Sequence, residues 1–92
     1  MILVIQPGEG GERRLPLARG VLTLGRSTDC DLILADSQAS RHHAELRRAG
    51  DHWQIVDVGS ANGTFVGGVR LAPNVARALG TGEVVLIGST RL

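Results

Sequence analysis

The chain contains no lysine and no tyrosine, and it has only one cysteine, one tryptophan and one phenylalanine. Because Cys30 is alone, it cannot form an intramolecular disulfide, and nothing indicates an oxidising compartment, so we expect a cytoplasmic protein. Two aromatic residues are too few for a base-stacking platform, and a net charge of +1 provides no broad basic surface, so we expect no nucleic-acid partner. All ten basic residues are arginine, a composition that indicates a GC-rich bacterium and supplies guanidinium groups suited to phosphate.

Long apolar runs are also absent. The first run covers residues 2–5 and has no basic segment before it, which predicts neither a signal peptide nor a membrane span, so we expect no membrane partner. A length of 92 residues is near the common size of one domain and leaves no room for a second core. We expect residues 1–92 to form a single domain, either minimal in itself or belonging to a larger signalling protein.

Short apolar runs separated by Gly, Pro, Asp and Ser recur through the whole chain, a pattern typical of an all-β protein. Thirteen glycines in the turns and this many strands predict a two-sheet antiparallel β-sandwich, because a lone sheet would leave one apolar face in water. Trp53 and Ile55 alternate with Gln54, so their strand is expected to face the core on one side. The predicted strands cover residues 2–5, 13–17, 21–24, 32–34, 42–47, 53–58, 64–66 and 84–87.

Other segments are predicted to interrupt or extend this pattern. Breaks are expected at residues 7–11, 26–31, 48–51 and 59–63. A single helical turn is predicted at residues 73–79, because Val75 and Leu79 have the i, i+4 spacing of one helix face. The closing sequence STRL is typical of the beginning of another strand.

The first of three polar segments is LGRSTDCD, residues 24–31, in which Arg26 directly follows Gly25. The glycine permits an unusual backbone turn, and a guanidinium held on a tight turn is placed for a bidentate contact with phosphate. Taken alone, an arginine after a strand-ending glycine is more often a solvated loop residue.

The second segment is DSQASRHHAEL, residues 36–46, in which Ser40 and Arg41 precede His42 and His43. Ser40 offers a hydroxyl donor, Arg41 offers a second cation, and an imidazole nearby can brace the loop through a hydrogen bond to the backbone. Together these groups can cradle an anion, although a turn with incidental polar side chains accounts for the same residues.

The third segment is DVGSANGTFVGG, residues 57–68, and its Asn62-Gly63 pair is a strong turn signal between strands. One interpretation is a hairpin tip and nothing more. The other is that the exposed amide of Asn62, which is both donor and acceptor, pairs with the main chain of an extended peptide.

Taken in order, GR, SRHH and SANGT resemble the forkhead-associated (FHA) domain family, and the resemblance covers nearly the entire chain. The run DLIL after the first turn, WQIVDVGS before SANG, and LGTGEVVLIG near the end match as well. The resemblance implies an eleven-stranded β-sandwich with its ligand loops at one end, which is more strands than the pattern alone predicts.

The resemblance also implies a function, that of a non-catalytic signalling module that binds a phosphothreonine peptide and recruits a partner phosphorylated by a Ser/Thr kinase. No cofactor and no metal are implied. A phosphoryl group carries nearly two negative charges and three acceptor oxygens at neutral pH, so two guanidinium groups and a hydroxyl match it. The implied site residues are Arg26, Ser40 and Arg41 for the phosphate, Asn62 for the peptide backbone, and Gly25, His43 and Gly63 for the shape of the loops.

Two positions depart from the family pattern. Ala61 stands where many members have a side chain such as Thr that reaches the ligand, and Gly67 stands where Asn is common. These departures motivate an alternative function on the same fold, a phosphate-independent protein-protein or self-assembly module.

Catalysis and metal binding are the remaining chemistries. The residue types of a hydrolase triad are present in Ser40, His42, His43 and Asp57. Ser40 lacks the strained G-x-S-x-G setting, and no base hydrogen bond is evident, so we do not expect an enzyme. Adjacent histidines on a strand point to opposite faces, so His42 and His43 do not easily share an ion with His52 or Cys30. Cys30 is expected to be a small, partly buried hydrophobe.

Overall fold

The computed structural model describes residues 2–5, 13–16, 20–80 and 82–92, and it places eleven strands and no helix within them. None of this part of the chain could cross a membrane as a helix. The strands are β1 (Ile2–Ile5), β2 (Arg13–Pro16), β3 (Val21–Gly25), β4 (Leu32–Ile33), β5 (Ala44–Ala49), β6 (His52–Asp57), β7 (Phe65–Val66), β8 (Val69–Arg70), β9 (Arg77–Leu79), β10 (Val85–Ile87) and β11 (Thr90–Arg91).

The strands form two larger sheets and one hairpin. The first sheet has the order β4-β3-β5-β6-β9, and the second has the order β11-β10-β7-β8. The β1–β2 pair lies beside β11. Among the described pairs, β3 and β4 run parallel and the others are antiparallel. The predicted two-sheet β-sandwich is confirmed, with the parallel β3–β4 pair as its one departure in the described residues.

Apolar side chains from both sheets meet in one core. Trp53 and Ile55 are 5% and 0% exposed, whereas Gln54 between them is partly exposed, which confirms the predicted alternation in β6. Val85 and Ile87 of β10 face the same core from the second sheet. Burial of each large apolar side chain stabilises the fold by about 1.5–3 kcal/mol. The core cluster consists of Leu22, Leu24, Leu32, Leu34, Ala39, Ala44, Leu46, Trp53, Ile55, Val66, Val85 and Ile87.

All eight predicted strands have counterparts in the structure, with ends that differ by at most two residues in the described part of the chain. The strand predicted at residues 42–47 begins at Ala44, because both histidines belong to the preceding loop. The closing strand expected from STRL is confirmed as β11, and the described residues contain the eleven strands that the resemblance implies. Leu17 and the break at residues 7–11 lie outside the described residues.

The helical turn predicted at residues 73–79 is wrong. Arg77–Leu79 forms β9, which pairs with the edge of β6 so that Leu79 lies opposite Trp53. Asn74 has φ of 62°, a left-handed conformation that turns the chain before β9 and interrupts a right-handed helix. The free edge of β6 therefore decides the conformation of this segment, against its i, i+4 apolar spacing.

The register of the first sheet places three loops at one end. Leu24, Ala44 and Asp57 are cross-strand neighbours in one row of β3, β5 and β6. Because β5 is antiparallel to both neighbours, the chain leaves β3 and β6 and enters β5 at this same edge. We name these segments loop 1 (residues 26–31), loop 2 (residues 34–43) and loop 3 (residues 58–64).

Candidate functional site

Backbone hydrogen bonds join loop 1 to loop 2. The Arg26 N–H donates to the Ser40 carbonyl at 3.0 Å, and the Ser27 N–H donates to the Arg41 carbonyl at 3.1 Å. The two arginines that the sequence singled out thus stand on adjacent loops, and both side chains are exposed. Among the described residues, no carboxylate forms an ion pair with either guanidinium. Their positive charge is available to an anion.

Gly25 makes this close approach possible. Its φ is not in the left-handed region, so the unusual turn that the sequence suggested is not what requires glycine here. A Cβ on Gly25 would lie 2.0 Å from the Arg41 carbonyl oxygen and 2.8 Å from its carbon. The requirement is therefore the space that the loop 2 backbone occupies.

We expect Gly25→Ala to lower the free energy of unfolding by about 3 kcal/mol, because the new Cβ collides with backbone that is held by the Arg26 and Ser27 hydrogen bonds. The matched control is Gly20→Ala at the other end of β3, where an added Cβ meets nothing within 4 Å. Denaturant unfolding of the two variants measures the difference. Equal unfolding free energies would contradict this interpretation of Gly25.

His43 connects loop 2 to loop 3 from a fully buried position. Its Nδ1 accepts a hydrogen bond from the Ser40 backbone N–H at 3.0 Å, so the ring proton is on Nε2. Nε2 in turn donates to the Gly63 carbonyl at 2.9 Å. The structure therefore places His43 where it fixes the relative positions of two loops and keeps it away from solvent.

Ser40 and Asn62 are also brought together with the arginines. The Ser40 hydroxyl accepts the Ala61 N–H at 3.0 Å, which fixes the oxygen and leaves its hydrogen available to an incoming acceptor. Asn62 donates one amide hydrogen to the Gln38 carbonyl at 2.9 Å, which ties loop 3 to loop 2. Within the described chain, the side-chain oxygen of the Asn62 amide has no hydrogen-bond partner, so it can accept from a peptide N–H.

Asp57 organises loop 3, a role that sequence reasoning missed. Its carboxylate is 2% exposed and accepts from the Gly59 and Ser60 N–H groups at 2.8 Å each, from the Ser60 hydroxyl at 2.5 Å and from the Thr64 hydroxyl at 2.7 Å. The Ser60 hydroxyl also accepts the Gly63 N–H. An Asp followed closely by Gly and Ser is the signal of an Asx turn, and it could have identified this role.

The electrostatics of Asp57 follow from these contacts. Burial alone would raise the pKa of the carboxyl group, but the hydrogen bonds from Ser60, Thr64 and Gly59 outweigh it and hold the pKa below its ordinary value of 3.8. Asp57 is therefore a carboxylate at neutral pH, and its charge is satisfied by four donors of its own loop.

Asp36 performs the same task for loop 2, and it too was missed. Its carboxylate accepts from the Gln38 N–H at 2.9 Å, from the Ser89 N–H at 3.0 Å and from the Thr90 hydroxyl at 2.9 Å. Burial raises the pKa of Asp36, but these hydrogen bonds lower it by a larger amount, so the pKa lies below its ordinary value of 3.8. Loop 2 is thus anchored to the β10–β11 turn of the second sheet.

Arg70 is a further cation beside the site that the sequence motifs did not reveal. It lies on β8, and its Nη2 is 3.5 Å from the Ala61 carbonyl oxygen. A Cβ on Gly63 would lie 2.7 Å from the Arg70 Nε, so the guanidinium packs directly over this glycine. Gly63 also has φ of 91°, a left-handed conformation that favours glycine, and a side chain here would in addition push the Arg70 guanidinium aside.

The two family departures have different structural consequences. Gly67 and Gly68 have φ of 58° and 80°, as in the type I′ turn of a two-residue hairpin. Asn and Gly both tolerate this conformation, so Gly67 keeps the turn that Asn would form. Ala61, in contrast, is exposed in loop 3 and leaves that position without a polar side chain toward a ligand.

The histidines considered for a hydrolase triad or a metal site have separate partners in the structure. His42 is exposed and lies 3.4 Å from Asp29, and His52 lies 3.4 Å from Asp51. The His43 ring bonds to the Ser40 backbone and not to its hydroxyl. No cluster of three or more potential metal ligands occurs in the described part of the chain.

Cys30 belongs to the interior of loop 1. It is 7% exposed, and its thiol donates to the Arg41 carbonyl at 3.2 Å. Burial and the nearby Asp29 carboxylate raise the pKa of the thiol. A raised pKa disfavours the nucleophilic thiolate, so Cys30 serves packing and the loop 1 to loop 2 contact.

Comparison with known proteins adds to this geometry. The model of the FHA domain family matches residues 22–88. The chain is 40% identical over 91 residues to the oxoglutarate dehydrogenase inhibitor of Corynebacterium jeikeium, covering 99% of this chain and 61% of the relative. It is also 40% identical over 91 residues to the glycogen accumulation regulator GarA of Mycolicibacterium smegmatis, covering 99% of this chain and 56% of that protein. The chain thus spans about three fifths of the length of these curated relatives.

Solved structures agree with the sequence comparison. A structure from an analysis of phosphothreonine-dependent FHA domain interactions matches with a TM-score of 0.82 and 29% identity. The match covers 98% of this chain and 90% of that chain. The similarity therefore includes the second sheet as well as the three loops.

Proposed function

The chain belongs to the FHA domain family, and from this premise we propose that it binds phosphothreonine peptides through Arg26, Ser40, Arg41 and Asn62. Its role is to recruit a protein that a Ser/Thr kinase has phosphorylated. The observation that carries the proposal is the joining of loop 1 to loop 2, which presents two exposed guanidinium groups beside the Ser40 hydroxyl.

The chemistry of the ligand fits this arrangement. A phosphothreonine side chain presents three acceptor oxygens and a charge near −2, and the site offers two cations and one hydroxyl hydrogen. Arg26 and Arg41 supply bidentate donors, and Ser40 supplies a donor whose oxygen is already fixed by the Ala61 N–H. Asn62 is held by its hydrogen bond to the Gln38 carbonyl, and its side-chain oxygen accepts from the peptide main chain next to the phosphate.

The cellular setting is part of the proposal. Two relatives are named as an inhibitor and a regulator, and we assign this chain a regulatory role too, which it performs by binding and not by catalysis. Residues 1–92 are proposed to be a single FHA domain that belongs to a larger signalling protein. Its partner is a phosphorylated protein in the cytoplasm, with neither nucleic acid nor membrane as a ligand.

Arg26→Ala tests the assignment of the phosphate site. Loss of one charge-assisted hydrogen bond weakens binding by about 1.5–3 kcal/mol, so we expect at least a tenfold rise in Kd for a phosphothreonine peptide. Arg48→Ala is the matched control, because Arg48 lies near the far end of β5 and donates to Gly50 of the hairpin. Isothermal titration of both variants gives the comparison. An unchanged Kd for Arg26→Ala would remove Arg26 from the site.

One observation favours the alternative function, a phosphate-independent protein-protein or self-assembly module. The outer face of the second sheet has a groove of about 650 Å³, and Phe65, Val84 and Leu86 are among its lining residues. Glu83 of this lining is already paired with Arg77 at 2.6 Å, so the apolar residues would form the contact between two copies of this chain about a twofold axis. Binding that is equal for phosphorylated and unphosphorylated peptides, together with a dimer in sedimentation, would favour this alternative.

A further inference from the structure

Arg70 reaches the phosphate-binding end of the domain from the second sheet. Its backbone pairs with Phe65 across β7 and β8, while its guanidinium extends over Gly63 to the Ala61 carbonyl. The Arg70 side chain therefore contacts both chain neighbours of Asn62, which are Ala61 and Gly63. A peptide whose main chain is held by Asn62 would pass this guanidinium.

The contacts of Arg70 leave its charge uncompensated. Its one hydrogen bond within the described chain goes to a neutral carbonyl, and the distance of 3.5 Å is at the long limit for such a bond. No described carboxylate forms an ion pair with it, in contrast to Arg77, which lies 2.6 Å from Glu83. Arg70 is exposed, so its remaining donors face solvent at the edge of loop 3.

The path of the side chain depends on Gly63. A Cβ there would lie 2.7 Å from Nε and 3.1 Å from Cζ of Arg70, so only glycine lets the guanidinium rest on the loop 3 backbone. This packing limits the positions that the planar group can occupy. A guanidinium that is held in place loses less side-chain entropy when it binds a carboxylate than a freely rotating one does.

We propose that Arg70 forms a subsite for a carboxylate side chain of the bound peptide, next to the phosphothreonine. This inference rests on the proposed function, because it needs a peptide at Asn62. It names a sequence preference of the ligand: a Glu or Asp at one flanking position is favoured over a neutral residue. The phosphate itself is bound by loops 1 and 2, so Arg70 adds selectivity to a peptide that already binds.

The test uses phosphothreonine peptides in a neutral Ala, Gly and Ser background, in which Glu or Gln is placed in turn at each of the flanking positions. At one position we expect the unmodified chain to bind the Glu peptide about fivefold more tightly than the Gln peptide, the magnitude of a well-oriented exposed ion pair. Arg70→Gln should bring this ratio to about one without abolishing binding of the Gln peptide.

Arg91→Gln is the matched control. Leu86 pairs with Arg91 and with Phe65, and Phe65 pairs with Arg70, so the two arginines lie in one row about three strand spacings, roughly 14 Å, apart. Arg91 is also exposed, and its removal should leave the Glu to Gln ratio unchanged.

The outcomes separate the subsite from the function. A Glu to Gln ratio near one at every position in the unmodified chain, or a ratio that survives in Arg70→Gln, overturns the subsite while phosphothreonine binding stands. A loss of the ratio in Arg91→Gln as well as in Arg70→Gln attributes it to general charge and overturns it too. If no phosphothreonine peptide binds, the proposed function fails and the subsite fails with it.

Discussion

Asp57→Ala is expected to destabilise the domain by about 4 kcal/mol and to abolish measurable phosphopeptide binding. The substitution leaves two backbone N–H groups and the hydroxyls of Ser60 and Thr64 without their common acceptor at a site that is almost fully buried. Each unsatisfied buried donor costs about 1–3 kcal/mol, moderated where the loop relaxes toward water. Because loop 3 carries Asn62, its collapse removes the peptide contact as well.

Asp57→Asn separates shape from charge at the same position. The amide oxygen can still accept from the two N–H groups while the amide nitrogen donates to the rotatable hydroxyls, so we expect a loss of only about 1–2 kcal/mol. Asp51→Ala, a change of a fully exposed carboxylate in the β5–β6 turn, is the control and should have no measurable effect. Denaturant unfolding gives all three values. An Asp57→Ala domain as stable as the Asp51→Ala domain would contradict this role.

The same residue determines part of the acid sensitivity. The folded-state pKa of Asp57 lies below 3.8, so its stabilising contribution is complete above about pH 4 and is lost as the pH falls through the folded-state pKa. Asp36 contributes with the same sign, because its pKa is also lowered. The unfolding free energy should therefore decline below about pH 4, and Asp57→Asn should make this decline less steep.

His43→Leu is expected to have the second large effect, a loss of about 3 kcal/mol in stability and of phosphopeptide binding. Leucine has a similar volume, but it leaves the Ser40 N–H and the Gly63 carbonyl without partners in a fully buried place. Loops 2 and 3 then lose the bridge that holds Ser40 beside Ala61. Amide hydrogen exchange should become faster at the Ser40 N–H, because in the unmodified chain this N–H donates to the His43 imidazole.

His42→Leu is the control for this experiment, because the neighbouring histidine is exposed and forms a 3.4 Å contact with the exposed Asp29. Its stability and its Kd for a phosphothreonine peptide should change little. If His42→Leu and His43→Leu had the same effect on stability and exchange, the buried imidazole would not stabilise the contact between loops 2 and 3.

The extent to which the sequence predicts this molecule depends on how local each signal is. Alternation in β6 depends on near neighbours, and the strand predicted there is confirmed, as is the break at residues 59–63. The hairpin tip suggested by Asn62-Gly63 is wrong, because β6 and β7 on either side of it belong to different sheets and do not pair. The segment that became β9 has an i, i+4 spacing of its own, and only the free edge of β6 makes it a strand. A three-residue strand whose own sequence has no strand pattern can be identified only after the position of its partner strand is known.

The candidate site shows the same division. Arg26, Ser40, Arg41 and Asn62 lie between predicted strands in recognisable motifs, and the resemblance to the family implied their roles from the sequence alone. Asp36 accepts hydrogen bonds from Ser89 and Thr90, which lie more than 50 positions later in the chain, and no local sequence pattern connects them. Arg70 is likewise remote from the motifs, and it reaches loop 3 only because the β7–β8 turn folds it back over Gly63.

The central claim is that binding depends on the phosphate, and calorimetric titration of a phosphothreonine peptide beside its unphosphorylated twin tests it most directly. Two or more charge-assisted contacts to phosphate are worth roughly 3 kcal/mol or more, so we predict that the phosphopeptide binds at least a hundredfold more tightly than its twin. Equal affinity for the two peptides, or no binding of either by a folded domain, would contradict the account and leave the phosphate-independent module as the better description.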